Sequence, residues 1–172
     1  LLLFCCVVDL SAQSILDWQS YTSFRSVSDI TEDSKGRIWM TTEGGVLVTE
    51  NSKVIKTLTP IQELARLDGS TIIYSEELKK IFIGYLTGEI DVVDENDFQV
   101  EKLTDIKRNN SFSQKAINDF YLLENSLFVA TDFGLVEYNL NGLFVKDTYT
   151  KFGNFNTAIP VNTITCTFVS LK

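Results

Sequence analysis

Two aspartates, Asp29 and Asp119, fall at matching places in a repeated pattern, and paired carboxylates can do acid–base work or hold a cation. Neither is accompanied in the sequence by a base, a nucleophile or an oxyanion donor. The chain contains no His, which excludes Ser-His-Asp triads, His-ligated zinc and imidazole switches within it. The densest acidic stretch is Asp91, Asp94, Glu95, Asn96 and Asp97. Counted from Asp94, the alternating ligand positions of a calcium loop fall on Asp94, Asn96 and Phe98, and Gln99 stands where Gly is required. The stretch therefore reads as a solvated turn. Gly44, Gly45, Gly88 and Gly134 precede no G-K-[ST] signature, so they read as turn residues and not as a phosphate loop. Arg66, Lys107, Arg108 and Lys115 fall between the repeats, in connecting loops of the kind that carry binding residues. No catalytic residue, metal ligand or cofactor is expected, and the chain does not read as an enzyme.

The elements that position these residues follow from an internal repeat. Lys35–Thr49, Lys79–Val93 and Asn125–Asn139 each read as turn, short strand, tight turn, short strand. Trp39, Phe82 and Phe128 are 43 and 46 residues apart, and Gly45, Gly88 and Gly134 keep the same intervals. A period in this range marks a solenoid, propeller or array. Strands are expected at Val27–Thr31, Arg37–Thr42, Val46–Glu50 and Lys53–Leu58. The second set is Ser70–Tyr74, Lys80–Tyr85, Glu89–Val93 and Phe98–Leu103. The third is Ile117–Leu122, Ser126–Thr131, Leu135–Asn139 and Leu143–Tyr149. Four short antiparallel strands per repeat make one propeller blade. The fold class is all-β: a partial β-propeller with about three blades (27–58, 70–104, 116–149) and the start of a fourth at 161–172. Ile30, Ile73, Phe120 and Ile164 align as the innermost-strand landmarks. Trp39, Phe82 and Phe128 are expected in the core. Glu43-Gly44 is expected to form a two-residue hairpin link, with Gly supplying positive φ. Thr59-Pro60 with Gln62 predicts a capping box and a turn or two of helix with Ile61, Leu64 and Ala65 on one face.

Residues 1–8, LLLFCCVV, form an unbroken apolar run. About 20 apolar residues are needed to span a bilayer, so this run reads as the core of a signal peptide over residues 1–13, cleaved near Ala12. Lacking an initiator Met and a basic leader, it reads as N-terminally truncated. Cleavage would leave Cys166 as the sole cysteine, so no intramolecular disulfide is expected. Trp18 and Tyr21 follow as a strand-like segment at the head of the propeller domain, 14–172. The chain reads as part of a ring of about four to eight blades in an exported protein. Its charge of −8, with no basic stripe, argues against nucleic acid or an anionic membrane surface as partner.

Gly36-Arg37-Ile38-Trp39-Met40-Thr41-Thr42-Glu43-Gly44-Gly45-Val46 resembles the two-component regulator propeller repeat. Ile83–Asp91, Lys115–Phe120 and Ala130–Val136, with the opening Trp18–Tyr21, resemble the N-terminal propeller of PorZ-like type IX secretion proteins. The resemblance implies a non-catalytic, outer-membrane-associated scaffold that supports processing of secreted cargo or its attachment to lipopolysaccharide. It implies other secretion-system surface proteins, such as the sortase, as partners. It also makes anionic lipopolysaccharide a candidate ligand of Arg66, Lys107, Arg108 and Lys115. The alternative is the periplasmic ligand-sensing propeller domain of a hybrid two-component histidine kinase, where such repeats also occur.

Overall fold

The computed structural model describes residues 23–153 and 157–165. The expectations for the export segment and for Trp18 and Tyr21 lie outside these residues. Among the described residues, twelve strands form three sheets. The first holds β1 (Val27–Glu32), β2 (Ile38–Thr42), β3 (Gly45–Glu50) and β4 (Lys53–Leu58). The second holds β5 (Gly69–Ser75), β6 (Lys80–Tyr85), β7 (Ile90–Asp94) and β8 (Val100–Leu103). The third holds β9 (Ile117–Leu123), β10 (Ser126–Thr131), β11 (Gly134–Asn139) and β12 (Phe144–Tyr149). Each is an antiparallel meander in sequence order, so the three sheets are propeller blades.

Period-2 alternation gives every blade two faces, and the second blade buries one against the first and the other against the third. Trp39, Val46, Val48 and Leu58 pack on Ile72, Ile81, Ile83, Tyr85 and Val93 of the second blade. Phe82, Ile90 and Val92 of the second blade pack on Phe120, Leu127, Val129, Val136 and Tyr138 of the third. The repeated aromatic thus points forward each time, from its own blade to the next. Trp39 and Phe82 are fully buried, whereas Phe128, on the face of the third blade turned away from the second, is only half-buried.

Positive φ falls on Gly45 (126°) and Gly134 (143°), not on Gly44. A Cβ on Gly45 would lie 2.2 Å from the Leu58 carbonyl oxygen, and one on Gly134 2.2 Å from that of Tyr149. These glycines let the outer strand approach the hairpin. Thr42 Oγ1 and Thr131 Oγ1 close the same two hairpins on the carbonyls of Gly45 and Gly134, each at 2.8 Å. Gly88 is not their equivalent. It lies inside a longer loop, 86–88, because Gly84 pairs with Ile90 where Thr41 pairs with Val46.

Other expectations shift slightly. Phe98 and Leu143 are turn residues with φ of 62° and 50°, so β8 and β12 begin later than read. The aligned residue of the second inner strand is Ile72, not Ile73. Ile30 faces Met40 and Ile72 faces Ile83 across their hairpins, because the turn 76–79 is shorter than 33–37. Thr59 and Gln62 do form the capping box, but over a single 3-10 turn, Pro60–Gln62, that leaves Ile61 exposed and Leu64 buried. A short helix, α1 (Asp105–Arg108), occupies the next connection and buries Ile106. Residues 161–165 form no strand as described, yet they lie against the third blade: Val161 N donates to Thr131 O at 2.8 Å.

Candidate functional site

Asp29 and Asp119 do not form a catalytic pair. Each inner strand carries a bulge, at the steps Val27/Asp29, Gly69/Thr71 and, opposite Ala130 and Thr131, Ile117/Asp119. The bulge turns side chains of the inner strand toward the inner strand that follows. Asp29 Oδ2 accepts from Thr71 Oγ1 and from Ile72 N, both at 2.9 Å. Asp119 Oδ2 accepts from Ile164 N at 2.8 Å. Ser70 Oγ donates to Ile117 O at 2.7 Å, and Asn118 Nδ2 to Val161 O at 3.0 Å. These groups staple blade to blade.

The hairpins between second and third strands and the connections between blades share one end of the molecule. Lys107 N donates to Gly88 O at 3.1 Å and Asp132 N to Ala116 O at 3.2 Å. The four candidate cations lie at this end but not in one patch. Arg66 stands in the first connection, 3.6 Å from Asp68 and half-exposed. Lys107, Arg108 and Lys115 share the second. Lys107 pairs with the buried Glu89, which also accepts from Thr87 Oγ1. Burial raises the Glu89 carboxyl, but these donors outweigh it and hold it below its ordinary value. Lys115 Nζ donates to Lys107 O at 2.6 Å, which brings these two lysines together. Arg108, exposed in the last turn of α1, has no side-chain partner among the described residues. Beside them, Phe112 stacks on Phe133 at 4.3 Å.

Two polar networks escape a reading of the sequence. The stretch Glu32–Gly36 reads as a plain turn, but Asp33 is buried in it. Asp33 Oδ2 accepts from Arg37 Nε at 2.6 Å and Trp39 Nε1 at 2.7 Å, while Oδ1 accepts from the amides of Lys35 and Arg37. Burial raises its carboxyl, but the hydrogen bonds from Trp39, the two amides and the Arg37 side chain prevail and hold it below the usual range. Arg37 crosses to the second blade, donating to Glu95 O at 2.5 Å, and Ser34 Oγ donates to the Glu95 carboxylate at 2.8 Å. Asp33, Arg37 and Trp39 stand at i, i+4 and i+6 along the turn and the strand that follows it.

The second network corrects the reading of Asp91–Asp97 as a solvated turn. Asp94, Asn96 and Asp97 do form the turn, but Asp91 and Glu95 are buried. Asp91 Oδ2 accepts from Tyr85 Oη and from Ala65 N, both at 2.7 Å, tying the first connection to the second blade. Asp91 Oδ1 has no partner among the described residues. Burial pushes the Asp91 carboxyl up, and burial with the adjacent Asp91 pushes the Tyr85 phenol up. The sequence signal was a lone acid inside Ile90-Asp91-Val92-Val93. Among the described residues no cluster of His, Cys, Asp or Glu is arranged to hold a metal ion.

With three blades, forward-facing aromatics and inter-blade staples in place, the likeness to known proteins has a structural meaning. Residues 38–169 match the family described as TSS9, PorZ, N-terminal beta-propeller domain. The chain belongs to this family. Among solved structures it is similar to PorZ of Porphyromonas gingivalis, described as an essential bacterial surface component of the type-IX secretion system. The TM-score is 0.69 at 25% identity, covering 78% of this chain and 18% of that one. It is also similar to the extracellular domain of the putative hybrid two-component system BT3049 from B. thetaiotaomicron. There the TM-score is 0.57 at 19% identity, over 70% of this chain and 16% of that one. Sqt1 of Saccharomyces cerevisiae gives a TM-score of 0.54 at 16% identity, covering 70% of this chain and 35% of that one. The last two likenesses carry the propeller fold alone. The chain spans under a fifth of the length of the PorZ structure. No curated protein sequence matches it. Among the described residues no helix is long and apolar enough to cross a membrane.

Proposed function

We propose that this chain is a non-catalytic propeller scaffold of the type IX secretion system, working at the cell surface after export through a signal peptide at residues 1–13. Membership of the PorZ propeller family, through the match over residues 38–169, is the observation that carries this reading. In it, the propeller holds other secretion-system surface proteins, such as the sortase, and supports cargo processing or lipopolysaccharide attachment. The end bearing Arg66, Lys107, Arg108 and Lys115 contacts the anionic saccharide. Arg108 supports that choice, being an exposed guanidinium that forms no ion pair among the described residues and is suited to bidentate recognition of phosphate or carboxylate. The reading requires no cofactor. Deleting the gene in the organism that carries it is the test. Secreted cargo should then accumulate without lipopolysaccharide, while transcription of two-component targets is unchanged. Normal cargo attachment with altered transcription would point to the sensor reading instead.

A further inference from the structure

The face of the third blade turned away from the second is built unlike the corresponding faces before it. Across the hairpins, Trp39 pairs with Val48, Phe82 with Val92 and Phe128 with Glu137. Two residues along, Val46 pairs with Leu58, Ile90 with Leu103 and Leu135 with Tyr149. In the first and second blades every one of these side chains is apolar and buried. In the third, Glu137 and Tyr149 stand in the place of a valine and a leucine, and Phe128 and Leu135 are half-buried.

Glu137 is nevertheless only 5% exposed, and donors from its own blade saturate it. Ser126 Oγ at 2.8 Å and Lys146 Nζ at 2.6 Å donate to Oε1, and Tyr149 Oη donates to Oε2 at 3.0 Å. The carboxylate is therefore compensated before anything covers the face. Lys146 carries three donors, has Glu137 as its one hydrogen-bond partner among the described residues, and is 55% exposed. The first blade shows how such a pair is completed. Arg37, paired with Asp33 of its own blade, gives a further N–H to the Glu95 carbonyl of the second.

The flank of the third blade already holds the start of a covering element. Asn118 binds Val161 O as Ser70 binds Ile117 O, and Asp119 binds Ile164 N as Asp29 binds Ile72 N. Residues 161–164 thus take the place that β5 and β9 take on the blades before them. We infer that this face is a polar seam, covered by a fourth blade that starts at Val161 and supplies acceptors to Lys146. Phe128 and Leu135 form the apolar part of the boundary, and Glu137, Lys146 and Tyr149 its polar part. The inference rests on the face and its staples and is independent of the proposed saccharide contacts.

Pulsed acetylation of the whole gene product, read residue by residue by mass spectrometry, tests the covering. Lys107 is the internal reference, being 51% exposed and paired with Glu89, which is as buried as Glu137. Lys146 should react at least about tenfold more slowly than Lys107, because the covering blade excludes the reagent from it. Equal rates would overturn the inference, as would protection that fades on dilution, the mark of a second copy on the face. Amide exchange tests the seam itself. Glu137→Ala should speed exchange at Ile164 at least about tenfold and leave Ile72, at the first boundary, unchanged. Exchange at Ile164 indifferent to the substitution would overturn the inference too. Faster exchange at Ile72 as well would mean general unfolding of the variant, and acetylation of the wild type then decides.

Discussion

Asp29 Oδ2 accepts the backbone amide of Ile72 at 2.9 Å, joining the inner strand of one blade to that of the next. Asp119 repeats the relationship with Ile164 at 2.8 Å. An aspartate that sequence logic first offers for chemistry is in fact spent on satisfying a strand amide across a blade boundary. Asp29→Ala leaves Ile72 N and Thr71 Oγ1 without that acceptor and should cost about 1–3 kcal/mol. Urea unfolding of the variant checks it. A loss of a few tenths of a kcal/mol would mean that the staple is replaceable by water.

Gly45 and Gly134 should be among the least replaceable residues. An added Cβ meets a carbonyl oxygen at 2.2 Å at either site, on a backbone with φ of 126° or 143°. Gly45→Ala and Gly134→Ala should each lose about 3 kcal/mol or more. Gly44→Ala carries no positive-φ penalty and is the comparison for that term. Thermal denaturation of the three variants compares them directly.

Asp33 makes the fold sensitive to acid. Its carboxyl is depressed below the ordinary 3.8, so its stabilising contribution is complete above that value and disappears as pH falls through the lower folded value. Asp33→Asn should remove that part of the acid dependence. At neutral pH it should cost about 3 kcal/mol, because Arg37 is left buried without its carboxylate. Unfolding free energies measured from pH 7 down to acid, for wild type and variant, test both statements.

Asp91 should behave with the opposite sign. Its carboxyl is raised above 3.8, so the folded protein favours the neutral acid. The associated stability is present at low pH and is lost as pH rises through the raised folded value. Asp91→Asn keeps an acceptor for Tyr85 Oη and Ala65 N but cannot ionise. Its stability relative to wild type should therefore improve as pH rises from about 4 to 7. A difference independent of pH would contradict the assignment.

The fold was legible because each blade needs the same filler at the same place: Trp39 and Phe82 are buried between blades, and Gly45 and Gly134 stand at matching hairpins. Register was less legible, because turn length changes without a mark in composition. The longer loop at 86–88 keeps the Gly45–Gly88 interval while breaking its structural equivalence. The shorter turn at 76–79 displaces the landmark from Ile73 to Ile72. α1 went unread because a four-residue helix with one buried side chain, Ile106, has no periodicity to see. The polar networks of Asp33 and Asp91 depend on long-range partners. Asp91 accepts from Ala65 N, and Arg37, bound to Asp33, reaches Glu95 O, pairings that a single sequence does not announce. Arg66, Lys107, Arg108 and Lys115 lie in the connections between blades, and of the four only Lys107 and Lys115 are brought into contact.

The central claim is that the blade connections of this PorZ-family propeller present cations to an anionic saccharide during cargo attachment. Its most direct test replaces the chromosomal gene with an Arg108→Glu, Lys115→Glu allele and measures the fraction of secreted cargo that carries lipopolysaccharide. With protein abundance at the surface unchanged, that fraction should fall well below wild type. Cargo modified to the wild-type extent would contradict the claim.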